Sequence, residues 1–139
     1  MQQLFSLKTL LLALCCSLFL AACGGGAKEE TAVKDYLNAI ASGNTDKAVA
    51  MLYFGPEDTK DAAEKAALEG KFKAMLIEMK EGVFDKNGGL KKIEITSKEF
   101  SEDKKKVTVH YTMFFGNDTQ KSDSMSLVLI NDVWKVAVK

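Results

Sequence analysis

The apolar positions change period twice along the chain. Leu10 to Leu20 is an almost unbroken apolar run. Val33, Tyr36, Leu37 and Ile40 then fall at i, i+3, i+4 and i+7, and beyond residue 90 apolar and polar residues alternate. A short apolar run near the start, a 3.6-residue stripe and a two-residue alternation predict an export segment, amphipathic helices and half-buried strands, in that order.

The first predicted helix carries the Val33–Ile40 stripe and ends at Ser42-Gly43-Asn44, with Gly43 suited to a left-handed cap. Thr45 is the expected N-cap of a second, short helix, with Asp46 in its first turn and Ala48, Val49 and Leu52 on its buried face. Gly55-Pro56 should stop it. Asp58 or Thr59 is expected to cap a third helix running towards Glu81, with Leu68, Phe72, Met75, Leu76, Met79 and Val83 as its stripe. Gly70 interrupts that helix at a cost of about 1 kcal/mol, and Gly82 offers a stop.

The turn cluster Asp85-Lys86-Asn87-Gly88-Gly89 precedes a strand predicted from Leu90 to Phe100, and Ser101 to Lys104 turns the chain. Val107, Val109, Tyr111, Met113 and Phe115 then alternate with Thr108, His110, Thr112 and Phe114. After a turn at Gly116-Asn117-Asp118, Met125, Leu127 and Leu129 define a third strand. Asn131-Asp132 fits a two-residue hairpin loop, and Trp134, Val136 and Val138 mark one face of the last strand. Helices followed by a meander predict an α+β domain: three N-terminal helices packed on a four-stranded antiparallel meander, preceded by a signal peptide.

The segment before the domain reads as a secretory signal. Met1 to Thr9 holds one cation, Lys8, and Leu10–Leu20 is the apolar stretch. A membrane span needs about 20 apolar residues, more than this run supplies. Leu20-Ala21-Ala22-Cys23 resembles the lipobox of bacterial lipoproteins. The resemblance implies cleavage between Ala22 and Cys23, a thioether-linked diacylglycerol on Cys23 and a further acyl chain on its amine. The expected organisation is a signal peptide over residues 1–22, a lipidated Cys and flexible tether over 23–30, and one domain over 31–139. As a Gly-rich coil the tether would span roughly 15 Å. Gly24 follows the lipidated position, and by the same resemblance a residue other than Asp there implies transport to the outer membrane. The expected location is the cell envelope, with the membrane as first partner through the lipid.

Composition narrows the chemistry. The 139 residues carry 19 basic and 19 acidic side chains, a formal net charge of zero, and every basic one is lysine. This balance gives no basic face for nucleic acid, and without arginine there is no planar bidentate grip on phosphate. Cys15 and Cys16 fall in the segment to be discarded, so no disulfide, thiol catalysis or cysteine metal site is expected in the domain. No cofactor is expected.

The chain from Val33 onward resembles the small bacterial lipoproteins of unknown function in the nuclear transport factor 2-like superfamily, also called cystatin-like or cone folds. The resemblance rests on Val33-Lys34-Asp35-Tyr36-Leu37-Asn38-Ala39-Ile40, on Gly43-Asn44-Thr45-Asp46-Lys47-Ala48 and on the closing Asn131-Asp132-Val133-Trp134-Lys135-Val136. It implies a curved, cone-like sheet wrapped on the helices, with room for a pocket between them. It implies no activity, because this fold carries enzymes, binders and dimerisation modules alike.

His110, the single histidine, shares a strand face with Thr108 and Thr112 and is expected at the surface. Glu57, Asp58 and Asp61 cluster at a helix start, where capping accounts for them. No catalytic residue is assigned. The bulky residues expected to line a pocket are Tyr36, Tyr53, Phe72, Met75 and Met79 from the helical half, with Tyr111, Met113, Met125 and Trp134 from the sheet. Two functions fit. One is a non-catalytic module binding an envelope protein or a small apolar ligand. The other is a small pocket enzyme of isomerase or dehydratase type, which would need an ionisable group in the pocket. A homodimer built on the outer sheet face, through Thr108, Thr112 and Phe114, is a further expectation.

Overall fold

The computed structural model describes residues 27–55 and 61–138. The expected signal segment, Cys23, and the caps at Asp58 and Thr59 lie outside the described residues. The elements are α1 (Lys28–Ala41), α2 (Thr45–Ala50), β1 (Leu52–Tyr53), α3 (Ala62–Met79), β2 (Leu90–Phe100), β3 (Lys106–Phe115), β4 (Gln120–Ile130) and β5 (Val133–Ala137).

Helix α1 buries Val33, Tyr36, Leu37 and Ile40. It starts at Lys28, so the residues to Glu30 are helical rather than tether. Its end is a Schellman turn: Gly43 sits at φ +80°, its N–H donates to the Ile40 carbonyl at 3.0 Å, and the Asn44 N–H donates to the Ala39 carbonyl at 2.8 Å. Asn44 also caps α2, its side-chain oxygen accepting from the Lys47 N–H at 3.3 Å. Thr45, the expected cap, is already the first helical residue. A single asparagine therefore closes one helix and opens the next.

Helix α3 is capped by Asp61, whose Oδ1 accepts from the Ala63 N–H at 2.9 Å. Its stripe is narrower than expected. Leu76 is 2% exposed, Met75 is 52% exposed, and Leu68, Phe72, Met79 and Val83 are half-buried. Gly82 does not stop the helix. The chain continues as a π-helical turn over Lys80–Phe84 and a 3₁₀ turn over Asp85–Asn87. The wider turn shifts the helical phase and brings Phe84 into full burial, edge-on to Phe115 with ring centroids 6.1 Å apart.

The sheet has five strands in the order β1-β5-β4-β3-β2. Strands β2 to β5 form the antiparallel meander. The fifth strand, β1, pairs parallel with β5, so the sheet is mixed and not the four-stranded antiparallel one expected. The spacing predicts Leu52 on a helix face, because two residues carry no alternation. Leu52 and Tyr53 become a strand because the N–H groups of Val136 and Val138 donate to the carbonyls of Met51 and Tyr53 at 2.8 and 3.1 Å. Two register shifts in β2, between Leu90 and Lys92 and between Ile95 and Ser97, are irregularities of the kind that bend a sheet.

Strand β3 buries Val107, Val109, Tyr111, Met113 and Phe115 against the helices. One row of the inner face crosses all five strands: Phe100, Val107, Leu127, Val136 and Leu52 are successive partners. Asn131 and Asp132, at φ +49° and +64°, make the tight β4–β5 turn. At the opposite end of the sheet the Gly116 N–H donates to the Gly89 carbonyl at 2.9 Å, and a side chain at Gly116 would run into the Gly88 carbonyl. Among the described residues no helix is long and apolar enough to cross a membrane.

Candidate binding cleft

A cleft of about 420 Å³ opens across the sheet. Its described lining comes from strands and the residues following them, with no helical contribution. Tyr53 and Phe54 approach from β1, Phe100 from β2, Val107 from β3, Leu127 from β4 and Val138 from β5. A row of the opposite face borders the same space: Glu99, Thr108 and Ser126 are successive cross-strand partners, and Tyr53 pairs with Ala137. A second cleft of about 390 Å³ shares Tyr53, Phe54 and Gly55 and reaches Lys65 and Glu69 on α3. Phe54 is held by Phe72 of α3, ring centroids 5.2 Å apart. The short β1 strand and its exit therefore form the wall common to both spaces.

The nine residues expected to line a pocket disperse. Tyr36, Tyr111, Met113 and Met125 are buried core. Phe72, Met79 and Trp134 are half-buried and pack on that core. Met75 faces outward. Tyr53 alone of the nine lines the larger cleft. Glu99, Phe100, Lys106 and Ser126 were not singled out, because register brings them together and local pattern carries no sign of it.

His110 lies on the outer face with Thr108 and Thr112, and its Nε2 is 3.5 Å from Glu99 Oε2. Thr112 and Ser122 share a hydroxyl hydrogen bond of 2.8 Å beside it. The two phenols with displaced acidity are in the core. Burial pushes Tyr111 up to about 12, with the nearby Asp123 charge adding to the effect, and burial raises Tyr36. Both are held as neutral hydroxyls, away from the cleft. Among the described residues no group of three or more His, Cys, Asp or Glu side chains is placed to hold a metal ion.

Over residues 21–137 the chain matches the model of the family described as Domain of unknown function (DUF4878). The chain belongs to DUF4878. A solved structure shows that this member has an NTF2-like fold. A Campylobacter jejuni protein provisionally named an NTF2-like transpeptidase superposes with a TM-score of 0.69 at 21% identity, covering 81% of this chain and 100% of its own. An NTF-2 like protein of unknown function from Shewanella oneidensis MR-1 gives 0.45 at 13% identity, over 78% of this chain and 91% of its own. A protein of unknown function with a cystatin-like fold from Methylobium petroleophilum PM1 gives 0.41 at 10% identity, over 80% and 75%. At these identities the likeness is one of fold. No curated protein matches the sequence. The DUF4878 domain of this chain thus has an NTF2-like fold.

Proposed function

We propose that the protein is a lipid-anchored module of the bacterial cell envelope, held at the outer membrane through Cys23, that binds a small apolar ligand or an apolar segment of an envelope protein without catalysing a reaction. The anchor rests on the sequence: an apolar run too short to span, followed by Leu20-Ala21-Ala22-Cys23 and then Gly24. One acyl chain holds only marginally, at about 0.8 kcal/mol per buried methylene, whereas two or more hold stably.

The observation that carries the binding reading is the character of the larger cleft. Tyr53, Phe54, Phe100, Leu127 and Val138 supply apolar surface, and Thr108 and Ser126 supply a few hydroxyls, the usual make-up of a small-ligand site. An isomerase or dehydratase would place a displaced acid or phenol in that space. The two phenols pushed upward sit in the core instead, and Glu99 is largely open to solvent.

Two measurements test this. Replacing Cys23 with Ala should release the protein from membranes and abolish palmitate incorporation; continued labelling of that variant refutes the anchor. Replacing Ser126 with Arg fills the cleft from the outer row without touching the core. It should remove binding of apolar probes, and the phenotype of the deletion strain should return, while His110→Ala leaves both as in the wild type. Unchanged binding in Ser126→Arg together with a loss in His110→Ala would overturn the binding reading.

A further inference from the structure

Helix α1 fixes where the tether leaves the domain. Lys98 of β2 reaches its first turn, with Nζ 3.0 Å from Glu29 Oε1 and 3.5 Å from Glu30 Oε1. Lys98 and Glu29 are mostly shielded from water, so this is a fixed joint between α1 and β2. Two residues beyond Lys98, Phe100 meets Trp134 edge-on with ring centroids 6.4 Å apart. The β2–β3 turn is tied to the β4–β5 hairpin by the Leu129 N–H, which donates to the Lys105 carbonyl at 2.8 Å. The start of α1, both hairpin turns and these aromatic rings therefore share one end of the domain.

That end exposes apolar side chains among charged ones. Phe100 is 44% exposed, with Trp134 half-buried against it on the inner face, and Val133, the first residue of β5, is 53% exposed on the other face of the same end. Around them Lys104, Lys105 and Lys106 are exposed, and so are Glu99, Glu102 and Asp103. Lysines beside a tryptophan and aliphatic side chains suit the headgroup boundary of a bilayer, where the ring sits at the interface and the ammonium groups reach water.

We infer that this end, with Phe100, Val133 and Trp134 at its centre, docks on the phospholipid surface that carries the anchor. The inference rests on the lipid anchor proposed above. From Cys23 to Ala27 there are four residue steps, a reach of at most about 14 Å. The end bearing Phe100 and Trp134 is thus the part of the domain nearest the headgroups. Tethering at this range keeps the local concentration of the surface high, so a small apolar patch stays docked. With Asp132 of the β4–β5 turn also exposed, the carboxylates outnumber these lysines, so docking depends on apolar contact more than on anionic lipid. The Phe100 wall of the larger cleft then lies beside the membrane.

Trp134 is the chain's single tryptophan and reports the contact directly. The full-length gene is expressed in an exporting bacterium, and the mass of the N-terminal peptide of the purified protein is measured. The protein is then reconstituted in vesicles of phosphatidylethanolamine and phosphatidylglycerol carrying a nitroxide near the headgroup. Trp134 emission should shift to the blue relative to detergent and should be quenched by the nitroxide. Val133→Asp should lose both effects at an unchanged melting temperature, and Lys104→Glu should keep them. An unacylated N-terminus overturns the anchor and this face with it. An acylated protein whose Trp134 is neither shifted nor quenched overturns the face alone. A shift that follows protein concentration without vesicles assigns the face to a second copy of the chain and also overturns the proposal.

Discussion

Replacing Phe84 with Ala tests whether the π-helical turn exists to deliver one side chain to the core. Phe84 is fully buried and meets Phe115 edge-on. Truncating a buried phenylalanine costs about 3–5 kcal/mol, the spread reflecting how far the site collapses around the hole. The ring is held from both sides, by the helical turn that carries it and by β3, so relaxation is restricted and the upper half of that range is expected. A domain of roughly 110 residues has about 5–16 kcal/mol in total, so the variant gives up about a quarter of the stability or more. The midpoint of thermal unfolding should fall by about 16–20 °C, at about 4 °C per kcal/mol for this size. Urea unfolding followed by Trp134 fluorescence and by far-ultraviolet circular dichroism measures the loss. Were the helix to end at Gly82, with residue 84 in an open turn, the change would be within about 0.5 kcal/mol. A measured loss below about 1 kcal/mol refutes the packing described for this turn.

Adjacent residues of α3 should respond in opposite ways. Leu76→Ala should cost about 2–5 kcal/mol, whereas Met75→Ala should stay within about 0.5 kcal/mol, and equal costs in urea titrations would contradict the helix phase. Gly116→Ala places a methyl group against the Gly88 carbonyl and should destabilise by about 1–3 kcal/mol; an unchanged urea midpoint would mean the two turns are not in contact. Stability should also fall at alkaline pH. The unfolded chain loses the Tyr111 proton near its ordinary value of about 10, while the folded chain holds it to about 12. The unfolded state then binds fewer protons, so the stabilisation is complete below about pH 10 and is lost as pH rises towards about 12, by roughly 2–3 kcal/mol. Tyr36 acts in the same direction. Tyr111→Phe should flatten that part of the pH profile, and a profile unchanged by the substitution would show that Tyr111 does not carry the effect.

What the sequence determined by itself is whatever depends on neighbours along the chain. The inner face of β3 followed from alternation at Val107 to Phe115, the α1 stripe from spacing at Val33 to Ile40, and the close of α1 from Gly43. Each is local, because side-chain direction repeats every two residues in a strand and every 3.6 in a helix. The β4–β5 turn was legible for the same reason, since Asn131 and Asp132 tolerate positive φ better than most residues.

The tertiary structure decided the rest. Leu52 and Tyr53 became a strand only because β5 offered them hydrogen-bond partners more than eighty residues away in sequence. Met75 fell outside the core because α3 packs through Leu76, and spacing alone leaves the angle between a stripe and its partner undefined. The cleft was illegible for a deeper reason. Tyr53, Phe100, Leu127 and Ala137 lie on four different strands, and nothing in any one segment records that register will bring them to a common wall.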